Sequence, residues 1–214
     1  LSPFLCTYSD PEYIKLVKLD IMYQLATQSN AADVLDELQR CVTDINESIA
    51  RKAIHIIGRL ALKWSLVADK CVAALAIIMQ GHADYALQES VIVVKDILRK
   101  YPDRYRHIAT TLCDHIPSLY ESQAKVSIIW ILGHFCDYVD GSTDALHDYA
   151  LSFLDESSDV QLALLTAAVK LFLRKPKSSG AIVQKILHEA SDLIANPDVR
   201  DRGYFYMRLL TLDA

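Results

Sequence analysis

Residues 47–63, 83–100, 121–139 and 158–174 can be laid over one another. Ile57, Val94, Leu132 and Val169 then form one column and Leu60, Ile97, Phe135 and Phe172 another, at steps of 37, 38 and 37 residues. Within each segment the apolar residues recur at spacings of three and four, which is the pattern of a helix with one apolar face. A shorter segment of the same kind lies between successive long ones, so the repeating unit is a helical hairpin. Such a hairpin cannot bury its apolar faces alone and must stack on its neighbours. The register therefore predicts an all-α fold, an α-solenoid of stacked helical hairpins. About eleven helices are expected, near 12–26, 31–43, 47–63, 68–79, 83–100, 103–115, 121–139, 143–154, 158–174, 179–194 and 198–210, with no convincing strand. Residues 1–214 read as one array without an internal domain boundary. The one Ser/Pro/Gly-rich stretch, Lys175 to Gly180, has the length of an ordinary interhelix loop.

Composition agrees with this reading. Only 6 Gly and 6 Pro in 214 residues leave few turn residues for a many-stranded β fold. The longest unbroken apolar run, Cys71 to Met79, is about half of the roughly 18 residues needed to cross a bilayer. A net charge of −5 argues against a nucleic-acid binder, which would carry a basic stripe. Five widely spaced Cys without a C-x-x-C indicate neither a disulfide framework nor a zinc ribbon and suit a reducing, cytosolic setting. The chain opens on Leu1-Ser2-Pro3 without a basic leader, and no polar capping helix precedes Asp10 or follows Leu210. It therefore reads as an internal fragment whose ends cut through the stack.

Several local expectations follow. In the first helix Tyr13, Leu16, Val17, Ile21 and Leu25 form the stripe expected to be buried, with Lys15, Lys18 and Asp20 off it. Asp10 is its expected N-cap, with Pro11 at the first helical position and Ser9/Glu12 as an alternative capping box. Asn196 before Pro197 repeats the first arrangement. Gly58 and Gly133 share a column, where a missing side chain would let a neighbouring helix approach.

Candidate chemistry is sparse. Cys113-x-His115 and His134-x-Cys136 offer four soft ligands, but residues two apart on a helix diverge by about 200°, so core Cys and interfacial His is the better reading. No nucleophile elbow, phosphate loop or H-E-x-x-H occurs, so no enzyme and no cofactor are expected. Two basic corners occupy equivalent positions: Arg99, Lys100, Arg104 and Arg106 around Tyr101-Pro102, and Arg174, Lys175 and Lys177 around Pro176. They could bind an acidic partner or a lipid headgroup, although cations in a last helical turn also answer the negative end of the helix dipole.

The segment Ser48 to Ala61, with Arg51 near the helix start and Gly58 within it, resembles the HEAT-repeat pattern, as does Asp198-Val199-Arg200. More specific strings run over essentially the whole chain: Tyr8 to Met22, Arg51 to Arg59, Ile97 to Pro102, Val160 to Leu173, and Asn196 to Leu210 with its Asp201-Arg202-Gly203-Tyr204. These resemble the trunk of β-adaptin, the β-class large subunit of heterotetrameric clathrin-adaptor complexes, in the C-terminal half of that trunk. The resemblance implies a noncatalytic scaffold for cargo selection and coat recruitment in intracellular transport. Its partners would be the adaptor medium subunit and the other large subunit. It would be cytoplasmic and peripheral on trans-Golgi, endosomal or plasma-membrane coated vesicles, held there through the complex. By the same analogy Arg200, Asp201, Arg202, Tyr204 and Tyr206 are candidate subunit contacts. Departures at Trp64, Ser65, Met207 and residues 141–147 leave the particular adaptor complex open. Another HEAT-repeat transport receptor or coat scaffold remains the alternative. Leu16 to Asp20 superficially resembles a clathrin-binding box, but its place inside a helix favours a packing role.

Overall fold

Every segment with the three-and-four periodicity is helical in the computed structural model, which describes residues 4–81 and 83–212. Leu1-Ser2-Pro3 lie outside the described residues. Twelve α-helices and no strand are present among those described. The chain forms two compact units, residues 1–102 and 103–214.

The first unit holds α1 (Glu12–Leu25), α2 (Ala31–Val42), α3 (Glu47–Lys63), α4 (Ser65–Met79) and α5 (Asp84–Lys100). Here α3 packs between α1 and α5 on one side of a two-layer stack, and α2 and α4 pack behind it. After the single turn α6 (Pro102–Tyr105), the second unit holds α7 (His107–Cys113), α8 (Ser122–His134), α9 (Ser142–Leu151), α10 (Ser158–Arg174), α11 (Pro176–Asp192) and α12 (Pro197–Leu212). There α10 lies between α8 and α12, with α9 and α11 as the second layer. Within each unit, helices one repeat apart pack side by side, the stacking that the register requires.

The repeat columns are the core. Ile57, Leu60, Val94, Ile97, Leu132, Phe135 and Val169 are all buried, and Phe172 is half-buried. The shared glycine column works as expected: a Cβ on Gly58 would sit 2.2 Å from Val93 Cγ1, and one on Gly133 would sit 2.7 Å from Ala167 Cβ. Asn196 caps α12, accepting from the backbone N–H of Asp198 at 2.9 Å, and its amide donates to Ser158 Oγ at 3.0 Å. That bond ties the start of α12 to the start of α10, one repeat earlier.

Five local expectations need correction. The buried face of α1 is Lys15, Leu19 and Met22, continued by Ala26 just beyond the helix, whereas Tyr13 and Val17 stay 65% and 53% exposed. Lys15 can turn inward because its ammonium meets Asp44 at 2.6 Å, which satisfies the charge while the methylene stem is buried. The packing role expected of Leu16 and Val17 therefore fails for Val17, although both remain in regular helix. Asp10 does not cap α1, whose N-cap is Pro11. Its carboxylate instead takes the Thr7 N–H at 2.7 Å and Lys18 at 2.6 Å, and the Lys18 bond above all holds it down to about pKa 2.

The single helix expected near 103–115 is broken into α6 and α7, and a 3-10 turn follows at Ile116–Ser118, where Pro117 lacks the N–H a helix needs. The stretch from Lys175 to Gly180 is no loop: Pro176 opens α11, a position where its missing donor costs nothing. Finally, α8 ends at His134 instead of near 139. The next residues turn through Gly141, whose φ of +78° needs a residue without a Cβ, into α9.

Candidate functional site

The last helix carries the segment singled out above. α12 buries a narrow stripe, Val199 and Gly203, continued by the half-buried Tyr206 and Leu210 at the same helical spacing. Gly203 lets α11 approach, since a Cβ there would lie 3.1 Å from Ala190 Cβ. A stripe this narrow leaves most of the circumference outside. Arg200, Asp201 and Arg202 are exposed, as is Tyr204, but Tyr206 turns inward and shares a 3.1 Å hydrogen bond with Thr166 Oγ1 on α10. The five residues therefore do not form one patch: four face outward and one helps to pack the helix. Arg202 also lies over the Tyr206 ring, 6.0 Å from its centroid.

Sequence reasoning passed over the apolar part of this outer surface. Phe205 is 58% exposed, and Met207, Leu209 and Leu212 accompany it. An open groove of about 470 Å³ beside Phe205 is lined by Leu162, Asp198, Asp201 and Arg202. A helical wheel anchored on Val199 and Gly203 would have placed Phe205 and Leu209 outside. The signal was masked because aromatic and aliphatic residues surround the helix.

The basic corners are largely absorbed by the stacking. The carbonyls at the end of a helix have no intrahelical donor. At the end of α3, Leu62 O accepts from Lys100 Nζ and Ala61 O from Tyr101 Oη at 3.4 Å. Just past α8 the arrangement recurs, with Lys175 Nζ donating to Cys136 O at 2.6 Å. Asp137 there pairs with Arg174, and the Tyr138 ring lies under the Arg106 guanidinium at 4.9 Å. Three successive residues past α8 thus receive three of the seven candidate cations. Arg104 lies over Tyr105 at 5.3 Å, Arg99 is also engaged, and Lys177 is exposed.

The candidate metal ligands are dispersed into packing roles. Cys113 Sγ donates to Ala109 O at 3.4 Å, burial raises its thiol to about 11, and Cys136 is buried. The His134 ring stacks on Trp130 at 4.9 Å, and burial lowers its pKa. Among the described residues no three His, Cys, Asp or Glu side chains converge as a metal-holding group. Among those residues, too, no helix is long and apolar enough to cross a membrane.

The strongest buried charge cluster joins α3 to α5. Glu89 is nearly buried and meets His55 Nε2 at 2.5 Å and Arg51 Nη1 at 3.1 Å; Arg51 also holds Glu47 at 2.7 Å. Burial pushes the Glu89 carboxyl up, but the two cations outweigh it and hold it below its usual value. Glu89 in turn raises His55 above the ordinary histidine value, against burial. The Arg51 of the HEAT-like pattern is therefore an inter-repeat clamp, with nothing in this arrangement that points to catalysis.

Comparison with known proteins gives the family. The adaptin N-terminal region matches residues 1–214. The chain belongs to the adaptin family. The AP-1 complex subunit beta-1 of Mus musculus is 45% identical over 210 residues, covering 98% of this chain and 22% of that protein. The AP-1 complex subunit beta of Dictyostelium discoideum is 43% identical over the same shares. The AP-2 complex subunit beta of Schizosaccharomyces pombe is 39% identical over 97% of this chain and 31% of its own length. This adaptin chain thus spans about a fifth to a third of its curated relatives. Its match is to the adaptin N-terminal region, which replaces the narrower placement in the C-terminal half of the trunk. A homology model of the full-length AP-3 complex in an intermediate open conformation contains a chain of the same fold. The TM-score is 0.74 over 97% of this chain and 38% of that one at 19% identity, which supports the α-solenoid architecture alone.

Proposed function

We propose that this chain is a noncatalytic scaffold segment of a β-class adaptor subunit, and that it helps to hold an adaptor complex together during cargo selection and coat recruitment. The observation that carries the reading is the outer face of α12. Exposed Tyr204, Phe205 and Leu209 stand among Arg200, Asp201, Arg202 and Arg208, a mixture of aromatic anchors and arginine that suits a protein interface better than a solvated surface. The proposed partners are the adaptor medium subunit, on this face, and the other large subunit. The proposed location is the cytoplasmic surface of trans-Golgi, endosomal or plasma-membrane coated vesicles, reached through the complex. We assign the corner cations mainly to capping helices of neighbouring repeats and keep Lys177 as the residue of the patch best placed for an acidic partner.

The test is co-elution of the chain with the N-terminal domain of an adaptor medium subunit in size-exclusion chromatography. Wild type forms a stoichiometric complex. Replacing Arg200, Arg202 and Tyr204 by Ala together abolishes it while the helical circular dichroism signal is unchanged. Unaltered binding by that variant overturns the α12 assignment. Failure of the folded wild-type chain to bind any medium subunit overturns the adaptor-scaffold reading in favour of another HEAT-repeat transport receptor or coat scaffold.

A further inference from the structure

One repeat lacks most of its second-layer helix. In chain order α7 stands where α4 and α11 stand in their repeats, but it has 7 residues against their 15 and 17, and the chain turns away through Pro117. The flank of α9 that a full helix would cover is left open as a cleft of about 520 Å³. That volume is within the range of ordinary ligand sites and has room for a peptide of a few residues. Ile116 and Pro117 of the 3-10 turn, with Leu119 and Ala145, give it apolar walls.

The polar groups of the cleft are unequally satisfied. Lys125 and Glu156 line it and close on each other at 2.6 Å, so their charges cancel. Asp148 lines it too, exposed on α9 and without an ion pair among the described residues. Asp144, one helical turn earlier, is also exposed and makes no ion pair among those residues, so two like charges share one face of the helix. Tyr149, the neighbouring lining residue, is only 8% exposed, and its buried Oη has no hydrogen-bond partner. A dry, unbonded hydroxyl carries a free-energy cost that a partner group would recover. Burial, and then the charge of Glu156, raise its pKa, so it stays a neutral group able to donate.

We infer that this cleft docks an extended segment of a partner protein in which a basic residue adjoins an apolar one. The basic side chain pairs with Asp148 and relieves its repulsion with Asp144. The apolar side chain covers Ile116 and Pro117. Tyr149 Oη, after a small outward turn of its ring, donates to a main-chain carbonyl of the segment. Charge decides the sign of the partner. Once Lys125 and Glu156 cancel, the uncompensated charges on this flank are the carboxylates of Asp148 and Asp144, and an acidic segment would be repelled by both. The cleft lies between the short α7 and α9, whereas the interface proposed above is on α12, so each can fail without the other.

The experiment is an array of hexapeptides whose two central positions run through every pair of amino acids in a constant Gly/Ser flank, probed with the intact labelled chain. Pairs of Arg or Lys with Leu, Ile or Phe should bind best, and their binding should weaken with added salt. The strongest binder should shield Cys113, which lines the cleft, from alkylation, while Cys6 in the other unit reacts as before. Asp148→Lys should turn the preference towards acidic pairs. Tyr149→Phe should weaken binding about five-fold while the thermal midpoint holds or rises, because an unbonded hydroxyl has been removed. A purely structural Tyr149 would leave binding unchanged. The inference is overturned if no pair binds above the flank alone, or if acidic or uncharged pairs bind best. It is equally overturned if Cys113 stays open with peptide bound, or if both variants bind as wild type does.

Discussion

Replacing Gly133 with Ala tests whether repeat spacing in the second unit is set by backbone approach. On helix propensity alone the change is favourable by about 1 kcal/mol, because glycine gives up more chain entropy than alanine in a helix interior. Contact geometry opposes it. The new Cβ would lie 2.7 Å from Ala167 Cβ and 2.8 Å from Ala167 Cα. Carbon pairs rest at about 3.5–4.0 Å, so α8 and α10 must separate by roughly an ångström at their tightest point. Ala167 has no flexible end that could yield, and the strain passes into the two backbones. Overpacking of this kind costs about 1–3 kcal/mol, at the upper end where backbone is involved.

The net expectation is a loss of about 2 kcal/mol, or a thermal midpoint lower by about 4–8 °C for a chain of this size. Gly180→Ala is the internal control. It lies in α11, and the nearest atom to its added Cβ is Phe172 Cε2 at 3.9 Å, an ordinary contact, so the propensity gain should survive and raise the midpoint. Urea and thermal unfolding followed by circular dichroism decide the matter. The reasoning is refuted if Gly133→Ala is as stable as wild type, or if both substitutions move stability in the same direction.

Other perturbations test the contacts between repeats. The His55–Glu89 pair should make stability fall with rising pH. Because His55 is raised in the fold, its contribution is complete below its unfolded value of about 6.5 and is lost as the pH climbs through the higher folded value. His55→Gln should flatten the urea midpoint between pH 6 and 8, and a slope equal to wild type would refute the assignment. Glu89, held low, acts in the opposite sense: its contribution is present above about pH 4.5 and is lost as the pH falls through the folded value, so wild type should weaken on acidification below that point. Lys175→Met keeps the buried stem but removes the donor to Cys136 O, at a cost of about 1–2 kcal/mol in urea unfolding; an unchanged midpoint would deny the capping role.

The array itself was legible in the sequence because stacking repeats must recur in register. Ile57, Val94, Leu132 and Val169 fall in one column because each occupies the same place in its hairpin. The shared glycines were legible for the same reason, and so was Asn196, since capping is local chemistry between an Asx side chain and the N–H groups just after it. What the sequence could not supply was direction. The apolar stripe on α1 is real, but a helix with apolar residues on two faces does not declare which one its neighbours cover. Tertiary structure chose the Lys15, Leu19 and Met22 face by offering Asp44 to the lysine.

The candidate site divided along the same line. Arg200, Asp201, Arg202 and Tyr204 could be read as a segment, but only packing sent Tyr206 inward to Thr166 and left Phe205 outside. Lys100 and Lys175 looked like a ligand patch because sequence shows charge without showing the carbonyl that each one meets a repeat away. Periodicity is written into the chain because every hairpin repeats it. Partnership between residues 30 to 40 positions apart, whether a lysine with a helix end or Arg51 with Glu89, exists only once the hairpins have stacked.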